Sequence, residues 1–198
     1  MLRIGITGNI AAGKTAVEKI LKEKGYSVLD ADDVSHELLS HNKEVIAAFK
    51  EFDIQEDGDI SRHKLGRIVF HDKVLMRKLE SILHPLIRVR INEFFEAHKD
   101  EKLVFVSVPL LYEAHMEDLF DKVLLVFAED MVRYKRLVKR DRLDDEYASV
   151  KINSQMSQVE KLILADECIE NDGTISELRV RVSYILQGLN RYKNRNIL

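Results

Sequence analysis

Apolar residues along this chain follow two rhythms. LRIGIT, KLVFVSVPLL and DKVLLVFA are short continuous runs rich in β-branched residues, the pattern of strands buried in a parallel sheet, with KLVFVSVPLL the central one. YSVLDAD reads as a second strand ending in acids, and ADECIEN as a short final strand. Between these runs the spacing changes to three and four. From Lys14 the apolar positions Val17, Ile20 and Leu21 recur at helical spacing, and Gly25 sits where that helix would stop. Residues 34–98 are mostly helical in pattern, through EVIAAFKEF, KLGRIVF and LESILHPLIRVRINEFFEAH, with Pro85 expected to break or bend the last helix near His84. MVRYKRLVKR predicts a basic helix, residues 141–161 a polar helical tract without a broad apolar stripe, and residues 175–190 a closing helix.

Strands alternating with helices predict an α/β fold: three layers, with a parallel sheet of about five strands covered by helices on both faces. The helical stretch between the second and third strands is too long for a simple crossover. It predicts an inserted subdomain over residues 32–101, with the core formed by 1–31, 102–137 and 162–198. The polar tract predicts a mobile lid over 138–161, because a helix without a core face packs weakly.

Composition changes this picture little. The 198 residues fit one domain, with 45% hydrophobic and 33% charged residues, and the net charge of −3 argues against a dedicated nucleic-acid binder. Cys168 is the only cysteine, which excludes an intramolecular disulfide and a cysteine metal cluster; it is expected to be buried and inert in its strand. The opening MLRIGITGNI is too quickly interrupted for a signal peptide, and no apolar run approaches a membrane span. The expectation is a cytoplasmic protein without nucleic-acid or membrane partners, a monomer or small homo-oligomer. DIQEDGDISRHK resembles a calcium loop but has Gln55 and Lys64 where ligands are needed, so it is expected to be a turn between helices.

The chemistry starts at GNIAAGKT, which fits G-x-x-x-x-G-K-[ST] in full over Gly8, Asn9, Ile10, Ala11, Ala12, Gly13, Lys14 and Thr15. Placed between a strand and a helix, such a loop turns successive backbone N–H groups inward and adds the positive end of the helix dipole. Lys14 can reach the β- and γ-phosphates, and the Thr15 hydroxyl can ligate Mg²⁺. The loop therefore predicts binding of a nucleoside triphosphate. An N-K-x-D guanine reader is missing, and no apolar strand ends in the acids expected of a mechanical ATPase. A small chain with a helical insert and a basic lid suits a kinase for a small molecule, which must close to keep water from the γ-phosphate. A non-catalytic nucleotide sensor is the alternative of another class.

Several residues then become candidates. Asp32 follows the second strand, where open α/β sheets place their ligands; it could accept a hydroxyl proton or hold Mg²⁺ through water, or simply end the strand or cap the next helix. Asp30 and Asp33 are better read as solvated. His84 and Arg88 fall one helical turn apart and can face one ligand, although a histidine before proline also suits a helix break. Arg136 and Arg140 are also four apart, a spacing for a phosphate clamp or for a basic solvated face shared with Arg133, Lys135 and Lys139. Glu113 lies just past the central strand, and Asn171 precedes a turn.

GITGNIAAGKT, VLDAD, LGRIVF, LESILHPLIR, VPLLYE, KRLVKRD and ADECIENDG, in that order, resemble the dephospho-CoA kinases nearly end to end. The resemblance implies transfer of the ATP γ-phosphate to the ribose 3′-hydroxyl of dephospho-CoA, with ATP and Mg²⁺ required. It implies Asp32, Lys14 and Arg140 as catalytic. Arg136, Arg140 and Asn171 would join the loop around ATP, Asn171 by the adenine. His36, His84, Arg88, Glu113 and Asp32 would serve the acceptor, and Gln155 and Lys161 match a Gln and a Lys of the family's lid. The chain departs from the family at four places. Asn9 and Ala11 replace glycines, His36 replaces an arginine, and Ser107 stands where members often carry an acid. Among these alternatives remains a kinase for another nucleoside or small metabolite.

Overall fold

In the computed structural model, which describes residues 1–141 and 145–195 (without the side chains of 145–147 and 194–195), the continuous apolar runs become the sheet. The elements run β1 (Leu2–Thr7), α1 (Lys14–Glu23), β2 (Val28–Asp30), α2 (Ala31–Ser40), α3 (Lys43–Ala48), β3 (Gln55–Glu56), β4 (Asp59–Ile60), α4 (Arg62–Val69) and α5 (Lys73–Ala97). They continue with β5 (Leu103–Ser107), β6 (Lys122–Phe127), α6 (Asp130–Asp141), α7 (Asp145–Asn153), α8 (Gln158–Leu164), β7 (Glu167–Glu170) and α9 (Ile175–Arg195). Among the described residues one five-stranded sheet has the order β2-β5-β1-β6-β7, every pairing parallel. Parallel strands expose no polar face, and every residue of β5 is accordingly buried.

Period-two alternation divides β1 between two layers. Leu2, Ile4 and Ile6 join Val17, Ile20 and Leu21 of α1 and Leu178, Val182, Leu186 and Leu189 of α9 in one core. On the opposite face Gly5 lies under Leu111 and Phe120; a Cβ there would stand 2.8 Å from Leu111 Cδ1. Phe95, near the end of α5, meets Phe120 edge-on at 6.1 Å and helps cover that face.

The chain divides into two compact units, Ala31–Glu93 and the rest, Met1–Asp30 with the described residues from Phe94 on. Residues 142–144 of the expected lid and 196–198 of the expected core lie outside the described residues. Four expectations are corrected. β2 stops at Asp30 and α2 begins at once, so Asp32 sits in a helical first turn, where a carboxylate is favoured by the helix dipole. DIQEDGDISRHK is more than a turn: β3 and β4 pair antiparallel across Asp57 and Gly58, both at positive φ. Among the described residues of the tract 141–161 there are two helices, α7 and α8, the second starting where Ser157 forms a capping box with Glu160. Cys168 is exposed, because its strand, β7, lies at the sheet edge.

α5 also runs unbroken through Pro85. Leu83, Ile87, Ile91 and Phe95 are all buried on one side of it, and that packing outweighs one lost backbone hydrogen bond. Pro85 itself is exposed. Replacing Pro85 by Ala should raise the urea unfolding free energy by about 1–3 kcal/mol. A drop in stability would mean that the proline shapes the helix.

Candidate active site

Residues 8–15 leave β1 and turn into α1 through two glycines that admit no side chain. Gly13 has φ 101°, in the left-handed region, and a Cβ on it would lie 2.0 Å from Asn171 Nδ2. Gly8 lies so close to β6 that a Cβ would stand 2.4 Å from the Val126 carbonyl oxygen. Between them Ala11 has φ 62°, a conformation that costs an L-residue about 1 kcal/mol. Lys14 Nζ donates to Gly8 O at 2.8 Å, which lays the ammonium group along its own loop. The N-cap of α1 is Gly13, which has no side chain to cap the helix.

Side chains from distant parts of the sequence hold this loop. Asn171 Nδ2 donates to Ala12 O at 2.8 Å, and Gln155 Oε1 accepts from Ile10 N at 2.7 Å. Asn9, 1% exposed, sends its Nδ2 to Met156 O at 2.8 Å. Arg133 donates through Nε to Ile10 O at 3.1 Å and through Nη1 to Asp130 Oδ1 at 2.8 Å. At 2% exposure Arg133 does not belong to a solvated face, which tells against that alternative for this residue; burial lowers its pKa, opposed by the charge of Asp130. The signal was available: Arg133 stands four before the fully buried Leu137, on the inward face of α6.

Arg136 and Arg140 differ. Arg136 is half-buried, and its Nη1 lies 3.9 Å from the Cβ position at Gly13, without a hydrogen-bond partner among the described residues. A buried guanidinium nitrogen left bare beside a ring of amides is the donor expected where phosphate binds. Arg140 is exposed and pairs with Asp141 through Nε–Oδ1 at 2.6 Å and Nη2–Oδ2 at 3.1 Å; the pairing raises the pKa of Arg140 and lowers that of Asp141.

Glu113 and Lys161 come together next to Met156, the neighbour of Gln155. Lys161 is fully buried and pairs with Glu113 Oε1 at 2.9 Å, while the same oxygen accepts from Met156 N at 3.1 Å. Lys161 Nζ also donates to Pro109 O, which accepts from Thr7 Oγ1 as well. Buried pairs of this kind fix geometry, since removing either partner strands the other charge at a cost of about 3–5 kcal/mol. Gln158 adds bonds to Ala128 O and Asp130 Oδ1. Gln155 and Met156 are thus fastened to the loop, and Gln158 and Lys161 to Ala128, Asp130, Pro109 and Glu113, where the sequence pattern suggested weak packing.

Glu18 escapes sequence reasoning because it sits among the polar positions of α1. It is 6% exposed and accepts from Ser107 Oγ at 2.6 Å. Burial raises its pKa, and the Asp30 charge adds to the effect, against the Ser107 hydrogen bond and the charges of Lys14 and Lys22.

In the unit Ala31–Glu93, exposed Asp32 and half-buried His36 stand four apart on α2, and half-buried His84 and Arg88 four apart on α5. The two helices are joined by Arg90, which donates to Glu37 at 3.1 and 3.2 Å.

The amide ring, Lys14 and the bare Arg136 nitrogen fit a polyphosphate. Thr15, exposed in the first turn of α1, fits a hard cation whose other ligands are phosphate and water: among the described residues no three His, Cys, Asp or Glu cluster to hold a metal.

A profile of the dephospho-CoA kinase family matches residues 2–177. A dephospho-CoA kinase of Bacillus cereus (strain ATCC 10987 / NRS 248) is 36% identical over 193 residues, covering 94% of this chain and 96% of its own. Among solved structures, TT1252 from Thermus thermophilus superposes with a TM-score of 0.82 at 34% identity, covering 95% of this chain and 97% of its own. The dephospho-CoA kinase from Campylobacter jejuni gives 0.74 at 29% identity, covering 96% and 97%.

Replacing Gly13 by Ala forces a left-handed L-residue against Asn171. Calorimetric titration with ADP should show affinity reduced at least about 10-fold, since the backbone strain alone is about 1–2 kcal/mol. Unchanged affinity would mean that the loop reshapes freely.

Proposed function

The chain belongs to the dephospho-CoA kinase family, and from that premise we propose that it transfers the γ-phosphoryl group of ATP to the ribose 3′-hydroxyl of dephospho-CoA, the last step of coenzyme A biosynthesis. The observation that carries the reading is the loop of residues 8–15: its glycines leave no room for side chains, and its helix start is uncapped.

The division of labour follows from charge and position. The loop amides of residues 8–15 other than those of Ile10 and Ala12, which bond to Gln155 and Asn9, bind the β- and γ-phosphates with the Lys14 ammonium, and Arg136 supplies a further donor beside Gly13. Arg140 exchanges Asp141 for phosphate as charge spreads over the transferring group, a swap of one anion for another that costs little solvation. Asn171 positions the loop through Ala12 and lies on the adenine side. Mg²⁺, held by the Thr15 hydroxyl with phosphates and water, supplies charge neutralisation when bound.

On the acceptor side Asp32 takes the proton of the 3′-hydroxyl as its oxygen bonds to the γ-phosphorus and the bond to the ADP oxygen breaks. Arg88, His84 and His36 hold the acceptor's phosphates, so the unit Ala31–Glu93 serves as the acceptor insert. Glu113 acts on the acceptor indirectly, by fixing Lys161 and residues 155–161, which close over the site as the inner part of the lid. Among the described residues no helix is long and apolar enough to cross a membrane. We take the enzyme to work in the cytoplasm, as a monomer or small homo-oligomer.

ADP release should depend strictly on dephospho-CoA, with adenosine and pantetheine inert. Asp32→Asn should lower kcat by about 10²–10⁴ while calorimetric ATP affinity stays near wild type. Wild-type turnover in that variant removes Asp32 from proton transfer, and turnover with adenosine instead contradicts the acceptor.

A further inference from the structure

Ser107 closes β5 at the carboxyl edge of the sheet, in register with Ile6 on one side and Asp30 on the other. This is the strand end beside the phosphate loop, and a hydroxyl there supplies no negative charge. The charge arrives from the facing helix. Glu18, one turn beyond Lys14 and Thr15 on α1, reaches across and accepts the Ser107 hydroxyl hydrogen at 2.6 Å.

Packing alone gives no reason for an acid here. Glu18 has Val17, Ile20 and Leu21 for neighbours on its helix, all buried, and an apolar side chain or a glutamine would cost less desolvation. Among the described residues its hydrogen-bonded anchor is the serine, and its charged surroundings are Lys14, Lys22 and Asp30. A carboxylate in this position completes a set that Thr15 only begins: a hydroxyl on the first turn of α1 and an acid at the strand end behind it.

We infer that Glu18, oriented by Ser107, is the acid that positions the water shell of the nucleotide-bound Mg²⁺ in this protein, in place of the strand acid it lacks. The inference rests on the reading of the chain as an ATP-dependent kinase. Glu18 is a positioning residue, acting through water, and Ser107 fixes its rotamer as hydrogen-bonded partners of metal-site carboxylates do.

Mn²⁺ serves as the probe. Its affinity for the ADP complex is read by electron paramagnetic resonance for wild type, for Glu18→Gln, and for the double variant Glu18→Ser/Ser107→Asp, which returns the acid to the strand. ADP affinity is measured in parallel in EDTA. Glu18→Gln should weaken Mn²⁺ binding about 10-fold or more, leave ADP binding in EDTA within about 2-fold, and the double variant should recover to within about 3-fold of wild type. A folded Glu18→Gln protein with wild-type Mn²⁺ affinity overturns the inference and leaves the kinase reading intact. Where Glu18→Gln does not fold, the double variant decides: recovery supports the inference, and a loss of about 10-fold overturns it. Wild-type protein that binds no ADP overturns both.

Discussion

A ring of backbone N–H groups around a polyphosphate is useful only if the ring keeps its shape, and short glycine-rich loops do not keep shape unaided. Here the restraint is a set of hydrogen bonds from far along the chain. Asn171 holds the Ala12 carbonyl, Arg133 the Ile10 carbonyl and Gln155 the Ile10 amide, while Asn9 turns outward to Met156. Each of these partners is charged or amide-bearing, and Asn9, Arg133 and Asn171 are buried. In such surroundings a bond that is lost is not replaced by water, so the loop and its supports stand or fall together.

The candidate residues of the two units differ in character. Around the loop of residues 8–15 the groups are backbone amides and the half-buried Lys14 and Arg136, where partial exclusion of water strengthens each contact to a fixed charge. On α2 and α5 the candidate residues are exposed or half-buried side chains one helical turn apart, suited to a ligand that must enter and leave. Arg140 sits at the surface with Asp141 as a ready partner, which lets a cation be displaced without ever being left unpaired.

The sheet was legible from the residues because parallel strands demand continuous apolar runs, and LRIGIT, KLVFVSVPLL and DKVLLVFA have no other good use. The phosphate loop was legible because its glycines answer backbone geometry that the fold then displays at Gly8 and Gly13. What escaped were residues whose meaning depends on tertiary partners. Arg133 and Glu18 look like surface charges until the helices dock and leave them 2% and 6% exposed. Pro85 looks like a helix end until the buried face of α5 carries the helix past it. Cys168 looks buried by its neighbours in sequence, yet β7 is an edge strand. Asp32 is the intermediate case: its place after β2 was clear, its helical backbone was not.

Amide hydrogen exchange in the nucleotide-free protein tests the central claim most directly, at Ile10 and Ala12, whose N–H groups bond to Gln155 Oε1 and Asn9 O. Contacts that hold the loop by themselves predict slow exchange at both amides before any nucleotide is added, and faster exchange at Ile10 once Gln155 is replaced by Ala. Exchange at the rate of an unstructured chain, with protection gained only on adding ADP, would contradict the account.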